Sequence, residues 1–317
     1  TTDGGENWTP LFDLQGTQSI GAFALAPSNP DIIYLGSGED NIFRASLPGM
    51  GMYRSTDGGR SWSHLGLENT STIARIIIHP TNPEIAWVAA TGNEWSYNND
   101  RGVYKTTDGG KHWNKVLGND DHTGYIDMIA DPSNPDVIIA SGWNRIRRRW
   151  SDPVPEDGDH LQKTTDGGAT WHRLSETRGF WCSLFEHQGA VYLLGSDRQD
   201  GLVMIRRSTD GARTWTDPVS ADRGRLRTTG RFHGAPTPVV EHRGRLWRGM
   251  EDLGGTGGWA AYFRSFMLSV PVDADLLVAT NWTFSTPLAR DPGWLGGRFG
   301  RSEERRVGKE CRSRWSP

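Results

Sequence analysis

At 317 residues the chain exceeds a typical domain, yet one closed all-β architecture can absorb that length. Its 40 glycines and 15 tryptophans favour short strands and tight turns with large aromatics packed beside them, and no apolar run is long enough to cross a bilayer. The net charge of −3 gives no basic surplus of the kind that nucleic acid attracts.

Taken in chain order, the first element is an octapeptide, TTDGGENW, around Asp3. It recurs as STDGGRSW around Asp57, TTDGGKHW around Asp108, TTDGGATW around Asp166 and STDGARTW around Asp210. The aspartates are separated by 54, 51, 58 and 44 residues. A second motif keeps step with it: APSNPD with Pro30, HPTNPE with Pro83 and DPSNPD with Pro135, at intervals of 53 and 52. Two unrelated motifs on one period define an internal repeat.

One repeat reads strand by strand. IARIIIHP is rich in β-branched residues and predicts a strand, and PTNPE a turn, because Pro fixes φ and Asn bonds its own backbone. IAWVAAT and GVYK are the next two strands. The glycines of DGG supply the positive φ of a hairpin, and the segment carrying Trp113 returns as the fourth strand. Four antiparallel strands in about 50 residues make one propeller blade. The Ser/Thr and Asp oxygens of the box accept N–H groups of its own turn, so Asp57, Asp108 and Asp166 are fold markers and not catalysts. Five boxes plus the box-poor stretch from Phe232 to Trp294 predict about six blades.

The final segment, RSEERRVGKECRSRWSP from Arg301, has no blade pattern and resembles a translated sequencing-library adapter; it is expected to be a non-native, disordered tail after a propeller spanning 1–300. Without it the chain holds 29 basic and 35 acidic residues, and Cys182 is its one cysteine, which leaves no disulfide or Cys-rich metal framework. Both ends of the sequence are expected to be incomplete. No cofactor is expected.

The boxes are identified as the signature of the sialidase-like superfamily of propellers, which includes sialidases, xyloglucanase-type glycosidases and sortilin-type receptors. Up to about residue 174, RGVYKTTDGGKHW, DPSNPDVIIASGW and WNRIRRRW resemble bacterial sortilin-like propellers. From about residue 175 the NPD turn is gone, and GFWCSLFEHQGAVYLLG and HGAPTPVVEHRGRLWRGMED resemble bacterial sialidases. Two origins stay open for this seam: one propeller with divergent blades, or two genes joined at a shared TTDGG.

Three segments could carry chemistry in loops at one end of the blades. The first is Glu94, Trp95, Tyr97, Asn98, Asn99, Asp100 and Arg101, whose aromatics and polar groups suit the two faces of a sugar. The second is Trp143, Arg145, Arg147, Arg148, Arg149 and Trp150, a guanidinium cluster of the kind that clamps carboxylate or phosphate. The third is Trp181, Glu186, His233, Arg248, Glu251, Asp252, Trp259, Tyr262 and Arg264. Sialidases hold the substrate carboxylate with arginines, use a Tyr–Glu pair as nucleophile and an Asp as acid/base. The resemblance would therefore make Arg248 and Arg264 the clamp, Tyr262 with Glu251 the nucleophile and Asp252 the acid/base, although their spacing follows no sialidase motif. The function expected is a secreted or periplasmic, monomeric scaffold that binds glycan, protein or peptide and not nucleic acid; the alternative is an active sialidase or other glycoside hydrolase.

Overall fold

The computed structural model describes residues 1, 3–17, 19–40, 47–144, 146, 160–174, 177, 179–234, 237–255 and 262–289. They fall into two compact units, within residues 1–177 and 178–317.

The first unit holds three four-stranded antiparallel sheets, each a meander. The first contains β1 (Ile20–Ala26), β2 (Asn29–Ser37), β3 (Met52–Ser55) and β4 (Ser63–His64). The second contains β5 (Ile73–Ile78), β6 (Ala86–Ala90), β7 (Gly102–Thr106) and β8 (Asn114–Leu117). The third contains β9 (Thr123–Asp131), β10 (Asn134–Asn144), β11 (His160–Thr164) and β12 (His172–Arg173). The repeat read from IARIIIHP to Trp113 maps onto β5–β8, with the fourth strand starting just after the tryptophan.

The second unit holds a three-stranded sheet, β13 (Phe180–His187), β14 (Ala190–Ser196) and β15 (Val203–Ser208). Its other sheet has six strands: β16 (Phe232–His233), β17 (Val240–His242), β18 (Arg245–Asp252), β19 (Arg264–Pro271), β20 (Thr283–Phe284) and β21 (Leu288–Ala289). The described residues thus form five sheets and not about six. The excess came from counting the Asp3 box, since residues 3–17 form a box hairpin but contribute no strand to any sheet.

Period-two geometry explains the unbroken apolar run of β6. Ala86, Val88 and Ala90 pack into a core with Tyr34, Met52, Ile73, Ile76 and Ile78. Trp87 and Ala89, on the opposite face, pack with Tyr125, Met128, Ile138 and Ala140. A strand sandwiched between two neighbouring sheets has no polar side. The second unit has one core of its own, from Phe185, Tyr192, Leu194 and Ile205 to Phe232, Met250, Phe266, Leu268 and Trp282.

All five boxes share one hydrogen-bond pattern, the first between Thr1 Oγ and Asp3 Oδ1 (2.7 Å) with Gly5 and Asn7 N–H groups donating to them. In the second, Ser55 Oγ donates to Asp57 Oδ1 (2.8 Å), Gly59 N–H donates to Ser55 Oγ (2.8 Å), and Ser61 N–H donates to Asp57 Oδ1 (2.9 Å). The Thr106–Asp108, Thr164–Asp166 and Ser208–Asp210 boxes repeat each bond. The bonds from Ser61 and Ser55 hold the Asp57 carboxyl down at about 2, and those from Thr214 and Ser208 depress Asp210 further. These carboxylates are consumed by their own turns.

Candidate functional site

In the first unit a cleft of about 100 Å³ opens where β2 leaves its sheet, β5 begins and β6 ends. Glu39, Leu47 and Pro48 form one wall, Ser71 and Thr72 the floor, and Thr91 to Trp95 the other wall. Glu39 is tied across the β2–β3 connection: its N–H donates to Leu47 O (3.0 Å), and Leu47 N–H donates to Glu39 Oε2 (3.2 Å).

The opposite wall is a built loop. Arg101, 2% exposed, reaches back through it and donates to the carbonyls of Thr91 (3.1 Å), Asn93 (2.7 Å) and Ser96 (3.3 Å). Asn98 Nδ2 donates to two of the same carbonyls, at Asn93 (2.9 Å) and Ser96 (2.8 Å). Gly92 has φ 72°, and a Cβ there would sit 2.2 Å from Arg101 Cγ, so only glycine lets the chain pass. Tyr104 Oη donates to Asp100 O (2.9 Å), and burial pushes that phenol up to about 12, which keeps it a donor. The scaffold leaves Trp95 and Tyr97 about half exposed, the latter packed on His122 with ring centres 4.0 Å apart. Glu94 is buried in the cleft wall.

Of the first predicted segment, Glu94 and Trp95 therefore line the cleft. Arg101 does not: a buried guanidinium committed to three carbonyls is a brace and cannot grip a solute. Glu39, missed by the sequence reading, joins them across the sheet-to-sheet boundary. Of the second segment, Trp143 is half-buried near the end of β10, opposite Gly124, whereas Arg145, Arg147, Arg148, Arg149 and Trp150 lie outside the described residues.

The third segment divides. Trp181, His233, Glu251 and Tyr262 come together at one end of the second unit's sheets. His233 Nδ1 lies 3.1 Å from Glu251 Oε2, its ring is 5.5 Å from both Trp181 and Phe263, and Tyr262 stacks on Phe263 at 4.9 Å. Glu251 is thus engaged by a histidine. Glu186 sits at the far end of β13, accepting from Gly189 N–H (2.6 Å), and Trp259 is outside the described residues. Arg264 forks onto Asp252, with Nε to Oδ1 at 2.9 Å, so that pair neutralises itself. Arg248, 1% exposed, donates to Leu194 O and to Trp181 O (3.0 Å). Of the two arginines expected to clamp a carboxylate, Arg248 is buried among carbonyls and Arg264 is paired with Asp252.

Residues 53–64, from the second residue of β3 through its box to the end of β4, match the BNR/Asp-box repeat family. The chain is an Asp-box repeat β-propeller. A xyloglucanase from Paenibacillus sp. is 25% identical to this propeller over 247 residues, covering 68% of the chain. Xyloglucanase Xgh74A from Acetivibrio thermocellus is 26% identical over 225 residues, covering 59%. The propeller spans 23% of the length of each. A crystal structure of an ancestral GH74 enzyme superimposes with a TM-score of 0.53 at 18% identity, covering 88% of this chain and 32% of that one; it shows the fold alone. The propeller is related to glycoside hydrolases. No helix among its described residues is long and apolar enough to cross a membrane.

Proposed function

We propose that this propeller is an exported glycan-binding scaffold and that the first unit's cleft is its glycan site. The observation that carries the reading is a half-exposed Trp95 on the wall of a cleft that also presents Glu39, Asn93 and Glu94. An indole takes the C–H face of a pyranose, and the carboxylates and amide take its hydroxyls. The kinship with proteins named xyloglucanases makes xyloglucan the first ligand to try. Affinity electrophoresis in a xyloglucan gel tests it: the propeller should be retarded, and Trp95→Ala should weaken the retardation. A wild-type protein that runs freely sinks the reading.

One observation favours a second reading, hydrolysis: two carboxylates, Glu39 and Glu94, line the same cleft, as acid and base do in glycosidases. Release of reducing ends from xyloglucan, abolished in Glu94→Gln, would support it. Sialidase action is tested with a fluorogenic sialoside and Tyr262→Phe as control. Because Arg248 and Arg264 are already committed, no turnover is expected.

A further inference from the structure

The second unit concentrates its unusual features around one residue. Trp181 has φ 50°, in the left-handed region that bulky aromatics avoid. It sits where the β13–β14 register breaks between Phe180 and Ser183, and such bulges re-aim a side chain. Strain of this kind persists only where surrounding contacts impose it. Here the contact is Arg248, which enters from β18, donates to the Trp181 carbonyl (3.0 Å), and is held in turn on Leu194 O. A buried cation is a costly way to fix one peptide, unless the ring that the peptide carries has work to do.

The ring faces a polar pair. His233 and Glu251 keep 21% and 24% of their side chains exposed, and Nδ1 of the imidazole is held on Oε2 of the carboxylate. His233 Nε2 and Glu251 Oε1 have no hydrogen bond among the described residues. Phe180 and Phe263 flank the imidazole at 6.0 and 5.5 Å. An aromatic platform beside a fixed acceptor and a carboxylate oxygen is a saccharide-binding arrangement. The nearby cations are committed, Arg264 to Asp252 and Arg248 to the interior, while Glu251 would repel an anion.

We infer that the second unit holds a saccharide site of its own, selective for an uncharged pyranose, in which Trp181 stacks on the sugar and the His233–Glu251 pair binds its hydroxyls. Arg248 is the positioning residue that keeps Trp181 in its strained bulge. The site shares no residue with the first unit's cleft and stands or falls separately from it.

Isothermal titration of the full chain with cellotetraose, and with 3′-sialyllactose as the anionic counterpart, tests this. Wild type should bind two cellotetraoses and no sialyllactose. Trp181→Ala should lose one of the two, with affinity at that site down at least about tenfold. Trp95→Ala should lose the other. Glu251→Gln, nearly isosteric, keeps the test open if Trp181→Ala does not fold, and should weaken only the second unit's site, by about fivefold. Arg248→Lys should weaken that same site and spare the first; a merely stabilising arginine would lower the melting temperature and leave both affinities alone. One bound sugar that vanishes in Trp95→Ala overturns the inference and leaves the cleft reading intact. One bound sugar that vanishes in Trp181→Ala does the reverse. Sialyllactose binding equal to that of cellotetraose overturns the claimed selectivity, and no binding of either sugar overturns both sites.

Discussion

The two units solve the same problem, joining one sheet to the next, with different chemistry. In the first unit the joints repeat. The residue just before two of the boxes is a cation that reaches the next sheet: Arg54 pairs with Glu84 and donates to Gly109 O (3.3 Å), and one repeat later Lys105 donates to Gly167 O (2.8 Å). Two box tryptophans reach the other way, Trp62 to Leu11 O (2.8 Å) and Trp113 to Leu65 O (3.0 Å). The NPD or NPE turn docks on its own blade's box, as Gly58, Gly109 and Gly167 N–H groups donate to Asp31, Glu84 and Asp136 carbonyls. In the second unit that turn is replaced by two-residue hairpins with both residues at positive φ, Gln188-Gly189 and Arg243-Gly244. Its sheets keep the cation before the box, Arg207 donating to Asp275 (3.1 Å), and add single bonds that do not repeat, His187 with Val272 O (2.7 Å) and the Arg248 brace. A repeated joint spreads its load over equivalent contacts. A one-off joint concentrates it, and in the second unit the concentration coincides with the strained Trp181.

The sharpest way to break this contrast is Trp87→Ala. Trp87 is 1% exposed and donates to Gly167 O (2.9 Å), so its removal should cost about 3–5 kcal/mol. Hydrogen exchange should show amides of β5–β11 opening while those of β13–β19 keep their protection; uniform loosening would mean that the two units unfold as one. Next in size, Arg54→Ala and Lys105→Ala should each cost about 1–2 kcal/mol in urea denaturation, and by similar amounts if the joint truly repeats. A smaller effect sits in the last box, where Ala212 occupies the second glycine's place at φ 70°. Ala212→Gly should gain about 0.5–1 kcal/mol, and Gly168→Ala, at φ 99°, should lose at least as much. The smallest effect per residue is acid sensitivity. The Asp57 carboxyl is depressed to about 2, so its contribution is complete above the ordinary value of about 3.9 and is lost as the pH falls through 2. The melting temperature should therefore fall below pH 4, and Asp57→Asn should flatten that slope.

Much of the fold was legible because box and NPD turn are local: each is satisfied within a few residues, so it must be written as a contiguous motif. The cationic joints were equally legible as the Arg or Lys before STDGG and TTDGG, and went unread only because their partners lie one repeat away. The second unit held an unread repeat of its own, EHQG at 186–189 and EHRG at 241–244, which takes over from the NPD turn. The site was harder. Trp95 and Glu94 stand in one loop of the sequence, but Glu39 lines the same cleft from a different sheet, and no spacing rule links the two. Arginines are hard to read for a physical reason: a guanidinium that braces carbonyls, as Arg101 and Arg248 do, looks in sequence like one that grips a ligand.

The boxes carry one more consequence, for the order in which the chain acquires structure. The bonds that close a box span at most four residues. Loops of that size close in well under a microsecond, and hairpins form in about 1–10 μs, long before sheets some fifty residues apart can meet. In a fold dominated by distant pairings, and slow on that account, every box is a register pin set in advance. A strand that returns through one cannot slip by a residue without undoing it, so each blade arrives at assembly with its outer pairing already decided.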